Sequence, residues 1–198
     1  MNKPLVIGIT GGIGGGKSTL AARLRDEGFE VYDSDMEARR LQNEHPLIRK
    51  QLRDLFGEDI YNDQGLNRAA LAEMVFTNKD LLLKLNKVVH PLVEAHFKNW
   101  VEKNSANKFL FVESAILFES GFNQYVDKVI VITAAEEIRI MRVIKRDGST
   151  LEQVRARMSS QISEDFKTSK ADFIIHSDDN MPLLDKMRRI LHELNEQY

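Results

Sequence analysis

The sequence predicts an α/β fold: a five-stranded parallel sheet with helical crossovers, plus a helical insertion and a helical segment rich in arginine. Three observations lead there. The apolar runs Leu5-Val6-Ile7-Gly8-Ile9, Phe109-Leu110-Phe111-Val112 and Val129-Ile130-Val131-Ile132 are continuous, as expected of strands buried on both faces. Stretches of helical periodicity separate them, which is the pattern of a doubly wound sheet. The first run leads directly into Gly11-Gly12-Ile13-Gly14-Gly15-Gly16-Lys17-Ser18, a G-x-x-x-x-G-K-[ST] phosphate-binding loop in its strand–loop–helix setting.

Bulk properties are consistent with this. The length of 198 residues suits one α/β domain with insertions. Hydrophobic residues make up 42% and charged residues 29%, the balance of a folded chain rather than a disordered one. The formal net charge of −2 gives no case for a nucleic-acid partner. Cysteine is absent, so disulfide and thiolate chemistry are excluded, and a reducing cytoplasm is expected. The N-terminal apolar run breaks into glycines too soon for a signal segment, and no stretch reaches membrane-spanning length.

In chain order, residues 18–27 read as a helix stopped by Gly28. Residues 29–32 read as a strand beside the first, running into Asp33-Ser34-Asp35 with both carboxylates on one side if the extended geometry persists. Residues 36–55 are helical, interrupted at His45-Pro46. Turns at Phe56-Gly57 and Asp63-Gln64-Gly65 precede an all-helical insertion of helices 68–76, 80–89 and 91–103, broken at His90-Pro91. Residues 108–113 and 128–133 return to strand. Thr133 with Glu136, and Ser149 with Glu152, read as capping boxes of two helices that carry Arg139, Arg142, Arg146, Arg155 and Arg157. Residues 171–176 form the last strand. A closing helix follows with Leu184, Met187, Leu191 and Leu194 on one face.

The residues that carry chemistry begin in the loop. Its glycines let the backbone wrap phosphate oxygens, and the following helix adds its positive end. Lys17 would reach the β- and γ-phosphates of a nucleoside triphosphate, and the Ser18 hydroxyl would take a position on Mg²⁺. Asp33 and Asp35 are candidates to accept an alcohol proton or help hold Mg²⁺, against a plain turn as the other reading. Glu113 ends an apolar strand, suiting either water-mediated Mg²⁺ ligation or a cap or ion pair. Arg142 and Arg146, four apart on one helix, suit a lid over a transferring phosphate, or else a solvated basic face balanced by Glu136, Glu137 and Asp147. His90, Arg39 and Arg68 read as structural or surface residues unless a phosphorylated acceptor must be held.

Taken together, the motifs resemble the dephospho-coenzyme A kinase family. The resemblance spans nearly the whole chain: the segment 10–19, Asp33-Ser34-Asp35 with Ala38-Arg39, Leu66-Asn67-Arg68 with Leu71 and Phe76, His90-Pro91, Leu117-Phe118-Glu119-Ser120-Gly121, Arg142 with Arg146-Asp147-Gly148, Arg157 with Gln161, and Ala171-Asp172. It implies a three-layer P-loop kinase fold in which ATP phosphorylates the 3′-hydroxyl of the acceptor's ribose. It also implies Asp35 as general base, Lys17 and Arg146 as catalytic, and Gly12, Ile13, Gly14, Gly15, Gly16, Lys17, Ser18, Thr19 and Arg142 at the nucleotide. Asp33, Arg39, Arg68 and His90 would serve the acceptor, and Ser18 and Glu113 the Mg²⁺ ion. The chain departs from the family at Ala115, where Pro is common, and at His176-Ser177-Asp178-Asp179, where the family often carries an Asn near the adenine. Asn67 replaces the usual acid before Arg68.

The expected arrangement is one kinase unit. Its core takes residues 1–34, 106–140 and 170–198, its acceptor-binding insertion 35–105 and its lid 141–169. The expected partners are ATP, Mg²⁺ and dephospho-coenzyme A, with no nucleic acid or membrane, in a cytoplasmic monomer, an oligomer staying open. The alternative within the fold is a kinase for another small acceptor, such as a nucleoside or nucleoside monophosphate. From a different class comes a nucleotide-dependent switch, for which Asn78-Lys79-Asp80 lacks the spacer of the guanine-recognition element Asn-Lys-x-Asp.

Overall fold

The computed structural model describes residues 3–76 and 78–197. The chain divides into two compact units, Met1–Asp33 with Asn104–Tyr198, and Ser34–Lys103. The first unit begins with β1 (Leu5–Thr10), α1 (Lys17–Asp26) and β2 (Val31–Asp33). The second holds α2 (Ser34–Glu44), α3 (Pro46–Phe56), the short strands β3 (Tyr61–Asn62) and β4 (Gly65–Leu66), α4 (Arg68–Phe76) and α5 (Lys79–Lys103). The first unit resumes with β5 (Phe109–Glu113), β6 (Lys128–Thr133), α6 (Glu136–Asp147), α7 (Leu151–Ser159), α8 (Glu164–Ser169), β7 (Phe173–His176) and α9 (Leu183–Gln197).

The sheet of the first unit is five-stranded and parallel, ordered β2-β5-β1-β6-β7. Every residue of β1 and β5 is buried, and these strands take interior positions where both neighbours satisfy their backbone groups. On one face Leu5, Ile7 and Ile9 alternate inward with Phe109 and Phe111 against Leu20 and Leu24 of α1 and Met187, Leu191 and Leu194 of α9. On the other, Gly8 leaves room for Leu117 and Val126. All strands end on one edge, and the loop after β1 opens there, where ligands of such sheets bind. No described helix is long and apolar enough to cross a membrane.

Several local expectations are corrected. β2 does not lie beside β1: β5 comes between them, because the three-residue β2 suits an edge whereas β5 needs neighbours on both sides. Extended geometry stops at Asp33, so Asp33 and Asp35 do not share a strand face. Ser34 opens α2, and Asp35 and Glu37 occupy its first turn, where acids complement the helix dipole. The insertion is not all-helical, since β3 and β4 form a small hairpin.

His90-Pro91 does not break a helix either. α5 runs through Pro91, whose side is exposed, while Leu85, Val89, Val93 and Phe97 are buried at spacings of four. That apolar stripe outweighs the one backbone bond that proline removes. The capping boxes are displaced too. Thr133 still belongs to β6, and α6 starts from Ala135, whose N–H donates to Asp178 Oδ2 at 2.7 Å. α7 is capped by Thr150 with Gln153, one residue later than Ser149 with Glu152.

Candidate active site

The loop between β1 and α1 is shaped by close approach. At Gly11 (φ +142°) a Cβ would collide with the Ile132 carbonyl, and at Gly14 (φ +80°) with the Arg139 backbone, so only glycine fits either position. Gly16 caps α1 in the left-handed region with no side-chain hydrogen bond to the helix N-terminus. The first amides of α1 therefore face the loop with no side-chain cap, which is an anion-binding geometry.

Lys17 is buried. Its Nζ donates to the carbonyls of Gly11 at 2.8 Å and Gly12 at 3.1 Å, curling the ammonium over the loop. The Ser18 hydroxyl donates to Glu113 Oε1 at 2.6 Å. Glu113 lies opposite Asp33 in the β2–β5 register. Burial pushes the Glu113 pKa up from its ordinary 4.5; the Ser18 hydrogen bond opposes this, the Asp33 charge adds to it, and the Lys17 charge opposes it. A buried carboxylate, a second carboxylate beside it and a hydroxyl form a hard oxygen set that fits Mg²⁺, an ion that commonly takes few protein ligands and keeps several waters. Ser18, Glu113 and Asp33 would hold it, and it would supply charge neutralisation at the phosphates. Thr19 is exposed in the first turn of α1.

The arginines divide. Arg142 donates to Ser177 Oγ at 2.7 Å, to Ser177 O at 2.8 Å and to Gly14 O at 3.3 Å, so it joins the loop to the segment after β7. Arg146 instead meets Asp147 through two hydrogen bonds of 2.6 and 3.0 Å, and Arg157 donates to the same carboxylate at 2.7 Å. The hydrogen bonds from Arg146 and then Arg157 hold the Asp147 carboxyl far below the usual carboxylate range. Two further residues reach the loop, and the sequence gives neither a role there: Arg139 reads only as one of the helix arginines, and Gln161 only as part of the family resemblance with Arg157. Arg139 is buried, donates to Ala134 O, and with Glu164 fills the space that a Cβ on Gly12 would need. Gln161 accepts the Ile13 N–H at 3.1 Å. Both lie more than 120 residues from the loop, and no local pattern ties either of them to it.

In the second unit Asp35 stands in the first turn of α2. Arg68 donates to Gln42 Oε1 at 2.8 Å and to the Arg39 carbonyl at 3.1 Å. Burial and then the Arg39 charge lower its pKa, so two cations lie close enough to repel. His90 is exposed on α5. The structure thus brings together Lys17, Ser18, Asp33, Glu113 and Arg142 in one unit, and Arg39 with Arg68 in the other.

The profile of the dephospho-CoA kinase family matches residues 5–182. A dephospho-CoA kinase from Bacteroides fragilis is 37% identical over 185 residues, covering 93% of this chain and 90% of its own. A Thermus thermophilus crystal structure superposes with a TM-score of 0.84 at 33% identity, covering 99% of this chain and 98% of its own. A dephospho-CoA kinase structure from Campylobacter jejuni gives a TM-score of 0.67 at 30% identity over 96% of both chains. On the strength of the glycine loop, the parallel sheet that presents it and these matches along its length, the chain belongs to the dephospho-CoA kinase family.

Proposed function

We propose that this chain transfers the γ-phosphoryl group of ATP to the 3′-hydroxyl of the ribose of dephospho-coenzyme A, giving coenzyme A and ADP. The observation that carries this reading is the Ser18–Glu113 hydrogen bond of 2.6 Å beside Lys17 in a glycine loop. Lys17 and the loop amides hold the β- and γ-phosphates, while Ser18, Glu113 and Asp33 serve the Mg²⁺ ion. Asp35 takes the proton as the ribose oxygen attacks the γ-phosphorus and the bond to the β-phosphate oxygen breaks. Arg142 lines the nucleotide end. Arg146 meets the charge that spreads over the phosphates in transfer. Residues 35–105 receive the acceptor, with Arg39, Arg68 and His90 toward its anionic groups, and 141–169 serve as the lid over the phosphates. The enzyme works as a cytoplasmic monomer in this reading.

Mass spectrometry of dephospho-coenzyme A incubated with ATP, Mg²⁺ and the protein tests it. One added phosphoryl group on the acceptor is expected. ATP consumption only with another alcohol, such as a nucleoside, would reassign the acceptor. Asp35→Asn keeps the side chain's size but removes the base, and should cut kcat by roughly 10²–10⁴ with ATP affinity within a few-fold. A larger loss in Asp33→Asn than in Asp35→Asn would reverse the two roles.

A further inference from the structure

Five of the six residues 11–16 are glycine, so the loop has more backbone freedom than any other segment of its length in the chain. The exception is Ile13, and its amide is the one fastened from afar. Its N–H donates to Gln161 Oε1 at 3.1 Å, while its side chain packs against the cluster formed by Ile140 and Val143 of α6 and Val154 of α7. Gln161 stands in the short link between α7 and α8, and that link is itself pinned. The N–H of Ile162 donates to Glu119 Oε1 at 2.9 Å, and the same oxygen lies 3.4 Å from Lys167 Nζ. Lys167 is fully buried and also donates to the Ala115 carbonyl at 3.2 Å, two residues beyond Glu113. Lys167 is the buried member of this pair, so leaving its ammonium without the Glu119 carboxylate is costly, and this opposes drift of the link.

From this geometry we infer that Gln161 is a positioning residue for the phosphate loop. Its carbonyl oxygen fixes the crest of the loop at Ile13 before nucleotide arrives, with the Glu119–Lys167 pair holding Gln161 in place. A glycine loop without this bond must be ordered by the phosphates themselves, and that ordering is charged against ATP affinity. Gln161 touches no substrate in this account and acts through the Ile13 amide. The inference rests on the reading of residues 11–18 as the ATP site, and deepens it.

Gln161→Met tests it, since methionine fills nearly the same volume but offers no comparable acceptor; Gln161→Ala is its companion. Both should raise KM for ATP about five- to tenfold, the scale of one hydrogen bond. kcat and KM for dephospho-coenzyme A should stay within about twofold. Amide hydrogen exchange at Ile13 should quicken by a similar factor while exchange in β1 and β6 is unchanged. A Gln161→Met protein with wild-type KM for ATP and wild-type Ile13 exchange would overturn the inference, as would a general loss of stability accounting for both changes. Calorimetric titration with ATP alone separates this inference from the functional reading. If the wild type transfers nothing to dephospho-coenzyme A, the acceptor assignment fails, yet ATP affinity of the variant still decides the role of Gln161.

Discussion

The inner and outer turns of α6 carry arginines of the same chemistry, held in opposite ways. Arg139 and Arg142 donate largely to neutral acceptors, the Ala134, Gly14 and Ser177 carbonyls and the Ser177 hydroxyl, and so form part of the wall around the phosphate loop. Arg146, one turn beyond Arg142, is matched instead to a carboxylate that it shares with Arg157. The difference is one of exchangeability. An arginine bonded to backbone carbonyls holds structure in place and has no reason to leave. An arginine resting on an exposed carboxylate can trade that anion for a phosphate oxygen at small net cost, because a solvent-exposed ion pair is worth little. Under the proposed function, the inner turn would serve the ground state and the outer a charge that arrives later.

The largest expected effect tests the ground-state side. Lys17→Ala removes the ammonium over the loop but leaves the glycine backbone. Transfer should fall about 10²–10³-fold or more while circular dichroism and Tm stay close to wild type. A folded variant with normal turnover would end the assignment of the loop as the phosphate cradle. Arg146→Ala tests the other side. It should lower kcat by about 10–100-fold while ATP binding weakens only a few-fold, because its guanidinium matters most when charge shifts between phosphates. Weakened binding with unchanged kcat would place Arg146 with the inner arginines and erase the distinction.

Glu113→Gln separates stability from chemistry. Between the ordinary 4.5 and the raised value in the folded chain, the folded state keeps a proton that the unfolded state has lost. Stability attributable to Glu113 therefore falls as pH rises through that window. The variant should melt a few degrees higher at neutral pH, with the gain vanishing below about pH 4.5, and should need about tenfold more Mg²⁺ for half-maximal rate. A lower Tm at neutral pH would mean that the Ser18 bond outweighs burial. The smallest effect belongs to Asp147→Asn, which loosens Arg146 and Arg157. Its carboxyl is depressed far below 3.8, so the contribution of the ion pairs is full above that value and is lost progressively as pH falls from 3.8 toward the folded value. The variant should differ slightly from wild type in stability at pH 7, with the difference shrinking progressively as pH falls below 3.8, and kcat should change no more than about threefold. A tenfold rise in kcat would make Asp147 an inhibitory latch rather than a resting counterion.

By itself the sequence determined the phosphate loop, the strands with continuous apolar runs and the closing helix. Each is local: a glycine spacing next to Lys17-Ser18, or a burial pattern written within one segment. Ser18, Glu113 and Asp33 could be nominated because strand ends of a parallel sheet share an edge. Their order across it could not, since whether β2 or β5 adjoins β1 depends on which strand needs two neighbours.

Only the tertiary structure decided the rest. α5 passes through Pro91 because a buried stripe at Leu85, Val89, Val93 and Phe97 outweighs a local rule. Ser34 starts a helix rather than prolonging a strand, which separates Asp33 from Asp35. Gln161 and Arg139 reach the loop, and Arg142 and Arg146 part company, through hydrogen bonds. A hydrogen bond needs only a donor and an acceptor brought within about 3 Å, whatever their distance along the chain, and so leaves no period or spacing in the sequence to be read.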